Sequence, residues 1–351
     1  MRPPLVRRAG VSPGGPGSGG GIGPLPASAP PVPPPARLDR PRSRPRAVPP
    51  GPGTPPRHTG PGAPPSTPLP GPRPSSSRSQ IREDVLRGLG VRDCFAEVKA
   101  DENRKALELL PGVLRDVDAA PPGEARFGEL LRGVFAGNVF DLGASATAGQ
   151  FESSRDSGAM FQQARAGLAP RPWAVDDADD AVAALSSGRH RKALLFVDNA
   201  GADVVLGVVP LARELLRNGT EVVLMCNSLP AVNDVTAPEM DLLLPALAAA
   251  DAVLGAAVAG GRLRVVADGS GLPVIDLRRV SAACAAECDG ADLVLLEGMG
   301  RGIETNLRAR FRCDALCLGM IKHREVAASL GGRLYDCVCR YQPAPAGGAA
   351  L

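Results

Sequence analysis

Residues 193–226 read ALLFVDNAGADVVLGVVPLARELLRNGTEVVLMC. Ala193–Val197 is an unbroken apolar run with the length of a buried strand. Ala202–Leu216 carries apolar residues at helical spacing and stops before Gly219, a helix-ending residue. Glu221–Cys226 is a second buried strand by composition. Strand, helix and strand in this order form a parallel unit with a right-handed crossover. The alternation continues downstream. Strands are expected at Arg264–Ala267, Asp292–Leu296, Ala315–Met320 and Tyr335–Val338, with helices at Ala237–Ala249, Leu277–Ala286 and Arg324–Leu330. The expected fold class is α/β: a doubly wound, mostly parallel sheet flanked by helices.

Upstream, residues 81–175 read as an N-terminal helical subdomain. Ile81, Val85 and Leu86 fit one apolar stripe, and Asp101 and Glu102 suit a helix start before Lys105–Leu110. Pro111 suits the opening of a further helix, and residues 124–135 form another around Phe127, Leu130, Leu131, Val134 and Phe135. Pro170, Pro172 and Trp173 mark a junction, after which residues 176–342 form the α/β core and 343–351 a flexible C-terminus.

Composition changes near residue 80. Residues 1–80 hold 25 of the 37 prolines, 11 of the 40 basic residues (all arginine) and a single acid, Asp39. The other 271 residues carry 29 bases and 36 acids, so an acidic body follows a basic tail. The tail has almost nothing to bury and reads as disordered. Because the foldable part is acidic, a nucleic-acid partner is not expected, and no apolar run reaches membrane-spanning length. The eight cysteines show no paired CxxC spacing, which points to reduced thiols and a cytoplasmic location. The arginine-rich, acid-poor tail leaves organelle targeting open. Of three histidines, His58 lies in the tail, His190 sits in a charged run and reads as surface, and His323 falls near a strand end.

Ligands of such sheets bind beyond the carboxyl ends of the strands. There the chain places Asp198-Asn199-Ala200-Gly201-Ala202-Asp203, then Asn227 with Asn233-Asp234, then Glu297-Gly298-Met299-Gly300-Arg301-Gly302, then Lys322-His323. Asp198, Asn199 and Asp234 converge if the first two strands are adjacent. Such hard oxygen donors suit Mg²⁺ or Mn²⁺. The competing reading is an Asx turn at Asp198-Asn199 with Asp234 capping a helix. It would win for a lone Asp, but the set favours metal. The glycines of residues 297–302 expose backbone N–H groups able to cradle a phosphate, with Arg301 and Lys322 supplying positive charge. GxGxxG, Walker A, GxSxG and aspartyl-phosphatase motifs do not occur. Cys284/Cys288 and Cys313/Cys317 lack histidine partners for zinc and read as core thiols.

These strings carry a resemblance. Residues 196–236, LPVIDLRRVS (272–281), ADLVLLEGMGRGIETNL (291–307) and GMIKHREVAASLGGRLYDCV (319–338) closely resemble the metal-dependent damage-control phosphatases with the domain-of-unknown-function-89 fold. Residues 81–111, FAGNVFDLGA (135–144) and PRPW (170–173) match as well. The resemblance implies a metal-dependent phosphomonoesterase acting on 4′-phosphopantetheine or its oxidised and damaged forms, guarding coenzyme A metabolism. It implies a divalent cofactor (Mn²⁺, Co²⁺, Ni²⁺ or Mg²⁺) held by Asp198, Asn199 and Asp234. Asn138 and Asp141 would face the site, Gly298, Gly300, Arg301 and Lys322 would hold the phosphate, and Asp198, Asp234 and Lys322 would be catalytic. The implied partner is a small phosphorylated metabolite, with no nucleic acid or membrane, and homo-oligomer formation is left open. The chain departs from the family form at residues 266–277, which are one residue short and carry Asp268 where Asn is common, and at 145–170.

The nucleophile is either a water, with Asp234 or Asp203 as base, or the Asp198 carboxylate itself. Two other classes compete with the enzyme: a non-catalytic phosphometabolite sensor or scaffold, and a nucleotide- or S-adenosylmethionine-dependent transferase, which the missing GxGxxG disfavours. A phosphatase for another small metabolite is the nearer alternative. Turnover separates these readings, because fold alone does not.

Overall fold

The computed structural model describes residues 75–139 and 157–345, with side chains described at 80–139 and 161–345. Strand β2 (Lys192–Phe196) lies at the centre of a seven-stranded sheet, between β3 (Glu221–Cys226) and β5 (Leu293–Glu297), both parallel to it. β4 (Leu263–Ala267) extends the β3 side and β6 (Asp314–Met320) the β5 side, again in parallel. β7 (Cys337–Gln342) runs antiparallel to β6, and the two-residue β1 (Val175–Asp176) pairs in parallel with β7. The strand order is β1-β7-β6-β5-β2-β3-β4. The chain therefore reverses direction across the sheet between β2–β3–β4 and β5–β6, which puts a switch point at the β2/β5 pair.

The central strands β2, β3, β5 and β6 are largely apolar because both faces are covered. Ala193, Leu195 and Val197 join Leu224, Leu295 and Leu318 in the larger core, while Leu194 and Phe196 join Val223, Met225, Val294 and Leu296 in a second. The cover is unequal. Beyond the opening helix α1 (Ser75–Gly88), the larger core is roofed by α2 (Ala96–Ala119) through Leu110, Val113 and Val117, and by α3 (Glu124–Asn138) through Phe127, Leu130 and Val134. Helices Val209–Arg217 and Ala237–Ala250 complete that layer through Leu215 and Leu247. Across the sheet the second core is closed mainly by loops and one short helix, Ala282–Glu287, through Ile275, Cys284 and Phe311.

Several local expectations are corrected. Pro111 does not open a helix. It lies inside the continuous α2, whose buried stripe Ala106, Leu110, Val113, Leu114 and Val117 runs through it, so packing overrides the lost hydrogen bond. The helix expected over 277–286 begins only at Ala282, because Ser281 Oγ caps it by accepting from Cys284 N at 2.9 Å and Asp276 holds Arg278 N in a preceding turn at 3.1 Å. The last strand starts at Cys337 rather than Tyr335, whose φ of 65° places it in a left-handed turn. His190 is not a surface residue: it is 4% exposed, and its Nε2 lies 2.8 Å from Asp314 Oδ2. All eight cysteines are free thiols, and Cys288 Sγ donates to Cys284 O rather than to a metal partner. Among the described residues no helix is long and apolar enough to cross a membrane.

Candidate active site at the carboxyl ends of the central strands

The helix expected over 202–216 begins as a π-helix, Asp203–Val208, before continuing as the helix Val209–Arg217. The glycine-rich turn after β5 is also a π-helix, Met299–Thr305. Two wide turns thus follow the two central strands, a distortion that recurs at functional sites. The first puts Asp203 one turn beyond Asp198, and the second aims Arg301 back over the strand ends. Gly298 makes the second turn possible. Its φ is +95°, and a Cβ there would overlap the Asp198 carboxylate.

Three carboxylates gather here. Asp198, Asp203 and Glu297 are all buried, and each offers an oxygen within 4.8 Å of the others. Backbone and amide donors hold them together. Asp198 N donates to Glu297 Oε2 at 2.9 Å, and Asn199 N donates to Asp203 Oδ2 at 3.2 Å. The Asn199 side chain donates to Asp203 Oδ2 at 2.9 Å and to Asp198 Oδ2 at 3.1 Å. Asn138, at the end of α3, donates to Glu297 Oε1 at 2.7 Å and Asp203 Oδ2 at 3.3 Å, while its carbonyl accepts from Met320 N at 3.0 Å. Burial pushes the Glu297 carboxyl well above its usual range, and the neighbouring Asp203 and Asp198 add to the rise.

Arg301, fully buried, spans the rest of the site. It is ion-paired with Asp198, lies 2.7 Å from Asp234 Oδ2, and donates to Asn227 Oδ1 at 2.8 Å. Asn227 in turn donates to Asp234 Oδ2 at 3.0 Å. Asn199 and Asp234 also meet through an isolated backbone bridge. Asp198, Asn199, Asp234 and Arg301 are therefore brought together, with Arg301 between the two aspartates and the Asp203–Glu297 pair on the Asp198 side. Lys322 is buried next to Met299, whose Sδ accepts from Lys322 N at 3.2 Å, and its charge pulls Glu297 downward. Gly300 packs against the Pro273 carbonyl, leaving no room for a Cβ. His323 is half exposed, 3.9 Å from Glu304. Asp141 lies outside the described residues.

Two contributors were not singled out from the sequence. Lys99, in α2, is fully buried and pairs with Asp93 and Glu239 at 2.7 Å each, while donating to the Asp234 carbonyl at 3.3 Å. One turn later Asn103 Oδ1 accepts from Gly201 N at 2.6 Å. A single helix thus fastens both the loop carrying Asp198 and Asn199 and the loop carrying Asp234.

A switch-point site with clustered carboxylates and fixed cations defines an α/β enzyme built to handle anionic groups, with or without a bound cation. Comparison with known proteins narrows this class. The damage-control phosphatase ARMT1-like domain matches residues 45–338. A damage-control phosphatase of Arabidopsis thaliana is 49% identical over 262 residues, covering 75% of this chain and 70% of that protein. Pantothenate kinase 2 of Arabidopsis thaliana is 44% identical over 292 residues, and the 4′-phosphopantetheine phosphatase of Mus musculus 35% over 310. The chain spans only 32% and 37% of those two longer proteins. A crystal structure of a DUF89 family protein from Pyrococcus horikoshii shares the fold, with a TM-score of 0.50 at 19% identity, covering 74% of this chain and 79% of that one. The chain belongs to the ARMT1-like damage-control phosphatase family, and its reaction class is the hydrolysis of phosphoric monoesters.

Proposed function

We propose that this chain is a divalent-metal-dependent phosphatase of 4′-phosphopantetheine or of its oxidised and damaged forms. The observation that carries the reading is the buried union of Asp198, Asp203 and Glu297 with Asp234 and Arg301 at the switch point. The donor set fits a hard cation, since carboxylate oxygens within 4.8 Å of one another repel unless a positive charge joins them. Asp198, Asn199 and Asp234 would hold the metal, with Asp203 and Glu297 beside them. When bound, it would supply charge withdrawal from a phosphate oxygen.

The remaining work falls to the chain's own groups. Phosphate monoesters are slow to hydrolyse, so positioning and charge neutralisation dominate. Arg301 and Lys322 take the negative charge on the phosphate oxygens, and Gly298 and Gly300, packed against Asp198 and Pro273, let the turn that carries Arg301 close over the strand ends. Water is the proposed nucleophile, because Asp198 is assigned to the metal. Asp203 or Asp234 receives its proton. The proposal assigns catalysis to residues 176–342, with the helical residues 81–175 supplying Asn138, Lys99 and Asn103.

The test is phosphate release from 4′-phosphopantetheine by the full chain with and without Mn²⁺ or Co²⁺, beside Asp198→Ala. Metal-dependent release lost in the folded variant supports the reading. Full activity in the variant, or binding of substrate without release, overturns it, the second outcome favouring the sensor.

A further inference from the structure

Among the described residues two other than glycine have left-handed φ values, and both stand on the catalytic edge. Val232, with φ 52°, precedes Asp234 by two residues. Tyr335, with φ 65°, lies against the peptide that joins Ile321 to Lys322. A β-branched or bulky residue enters this region only under constraint, and such constraint gathers at functional sites.

The constraint at Tyr335 is a β-bulge. Tyr335 N donates to Ile321 O at 2.7 Å, and Ile321 N donates to Asp336 O at 2.9 Å. Two residues leading into β7 thus face one residue following β6, and the first of the two is left-handed, a position that glycine usually takes in such a bulge. The same loop does use glycine elsewhere. Gly331 has a φ of 68°, and a Cβ on Gly332 would overlap the Ala174 side chain. Packing does not account for a tyrosine at 335. Its side chain joins none of the three apolar cores, and the residue is 38% exposed, whereas Asp336 beside it is buried. A bulge next to an active site re-aims the side chain it carries. Here that side chain is an exposed aromatic ring set next to the backbone of Lys322, whose own side chain is buried in the site.

We propose that Tyr335 is a specificity-determining residue: the carbon chain of the alcohol lies against its ring while the phosphate is held at Arg301 and Lys322. The proposal rests on the phosphatase reading above. The cations that take the phosphate are buried, so an alcohol longer than a few carbons must run outward from them, and an exposed aromatic beside Lys322 offers it apolar area. The favoured class is a phosphomonoester whose alcohol is an extended chain of aliphatic and amide groups. A compact anion such as inorganic phosphate gains nothing from the ring.

Tyr335→Gly tests this in the full chain. Glycine suits the left-handed position, so the bulge is kept and only the ring is lost. Two quantities are compared: KM for 4′-phosphopantetheine, and the inhibition constant of inorganic phosphate, which samples the phosphate position alone. KM should rise about five- to tenfold with kcat changed far less, and the inhibition constant should stay within about twofold of the parent's. Tyr335→Phe, which retains the ring, should recover most of the lost affinity. An unchanged KM in Tyr335→Gly overturns the proposal. So does a parallel rise in both constants, because it would mean that the bulge merely positions Lys322. If the parent protein does not turn over 4′-phosphopantetheine, it is the phosphatase reading that fails. Tyr335 is then judged by melting shifts: greater stabilisation of the parent by 4′-phosphopantetheine than by phosphate, with the excess lost in Tyr335→Gly, supports the contact, and no excess in the parent overturns it.

Discussion

Replacing Lys99 by methionine tests how the helical layer controls the site. Methionine keeps the length and apolar stem of the buried lysine but deletes its ammonium. Three contacts disappear: those to Asp93 and Glu239 at 2.7 Å and the bond to the Asp234 carbonyl at 3.3 Å. Two carboxylates then face each other without a counter-ion. Breaking a fully buried pair costs about 3–5 kcal/mol. The side chains of Asp93 and Glu239 keep 12% and 25% exposure, and Glu239 retains its bonds from Thr236 N and Oγ1 at 2.8 Å. Water therefore recovers part of the loss, and a cost of about 2–3 kcal/mol is expected. For a chain of this size that lowers Tm by roughly 5–10 °C, measurable by calorimetry at neutral pH. Adding Glu239→Gln removes one of the stranded charges and should return part of the loss, a non-additivity that reports direct coupling. A single variant melting within about 1 °C of the parent would refute the reasoning, because it would mean that the ion pairs only repay their own desolvation.

Other perturbations have equally definite outcomes. Gly298→Ala forces a side chain into a φ of +95° and into the Asp198 carboxylate, so it should remove phosphate release and lower Tm; an active variant of unchanged Tm would show that the turn yields. Asn138→Ala strands Glu297 Oε1 and Met320 N in a buried site and should cost about 2–4 kcal/mol in urea unfolding, together with loss of kcat. An unchanged unfolding midpoint would count against Asn138 as the strut. The carboxyl of Glu287 is drawn down to about 2 by its bonds from Arg264, against the opposing effect of burial and with help from Lys192. Its folded-state value lies below its ordinary one, so the stabilisation is complete above about pH 5 and fades as pH falls towards 2. Glu287→Gln should therefore lower stability at neutral pH and flatten the acid limb of a pH–Tm profile. Parallel profiles for parent and variant would contradict this.

The strands were legible because each is a short, unbroken apolar run, and the catalytic edge was legible because function in such sheets gathers where strands end. Asp198, Asn199, Glu297 and Arg301 stand within a few residues of a strand terminus and Asp234 in the loop that follows β3, so local reading could find them. The reversal of β7 could not be read in the same way, since an apolar strand does not announce its direction. Nor could the π-helical turns, because Asp203–Val208 has the same apolar spacing whether it winds with 3.6 residues per turn or more widely. Lys99 and Asn103 were hidden for a different reason. Within KADENRK the acids Asp101 and Glu102 suggested a helix start, whereas α2 already begins at Ala96, and only its packing over the two loops reveals that Lys99 and Asn103 point inward. His190 misled likewise: its charged neighbours suggest a surface, but its partner Asp314 is more than a hundred residues away.

The position of Arg301 along the chain also bears on biosynthesis. Asp198, Asp203 and Asp234 leave the ribosome well before the cation that neutralises two of them, and β2 finds its partner β5 only when residues near 293 have been made. Until then the nascent chain carries acids destined for burial, without their counter-charge, and an unpaired apolar edge on its first βαβ unit. Such an edge is prone to misassociate. The synthesis of residues 234–301 is thus the interval in which this protein most needs shielding, and a ribosome paused there would hold it in its most vulnerable form.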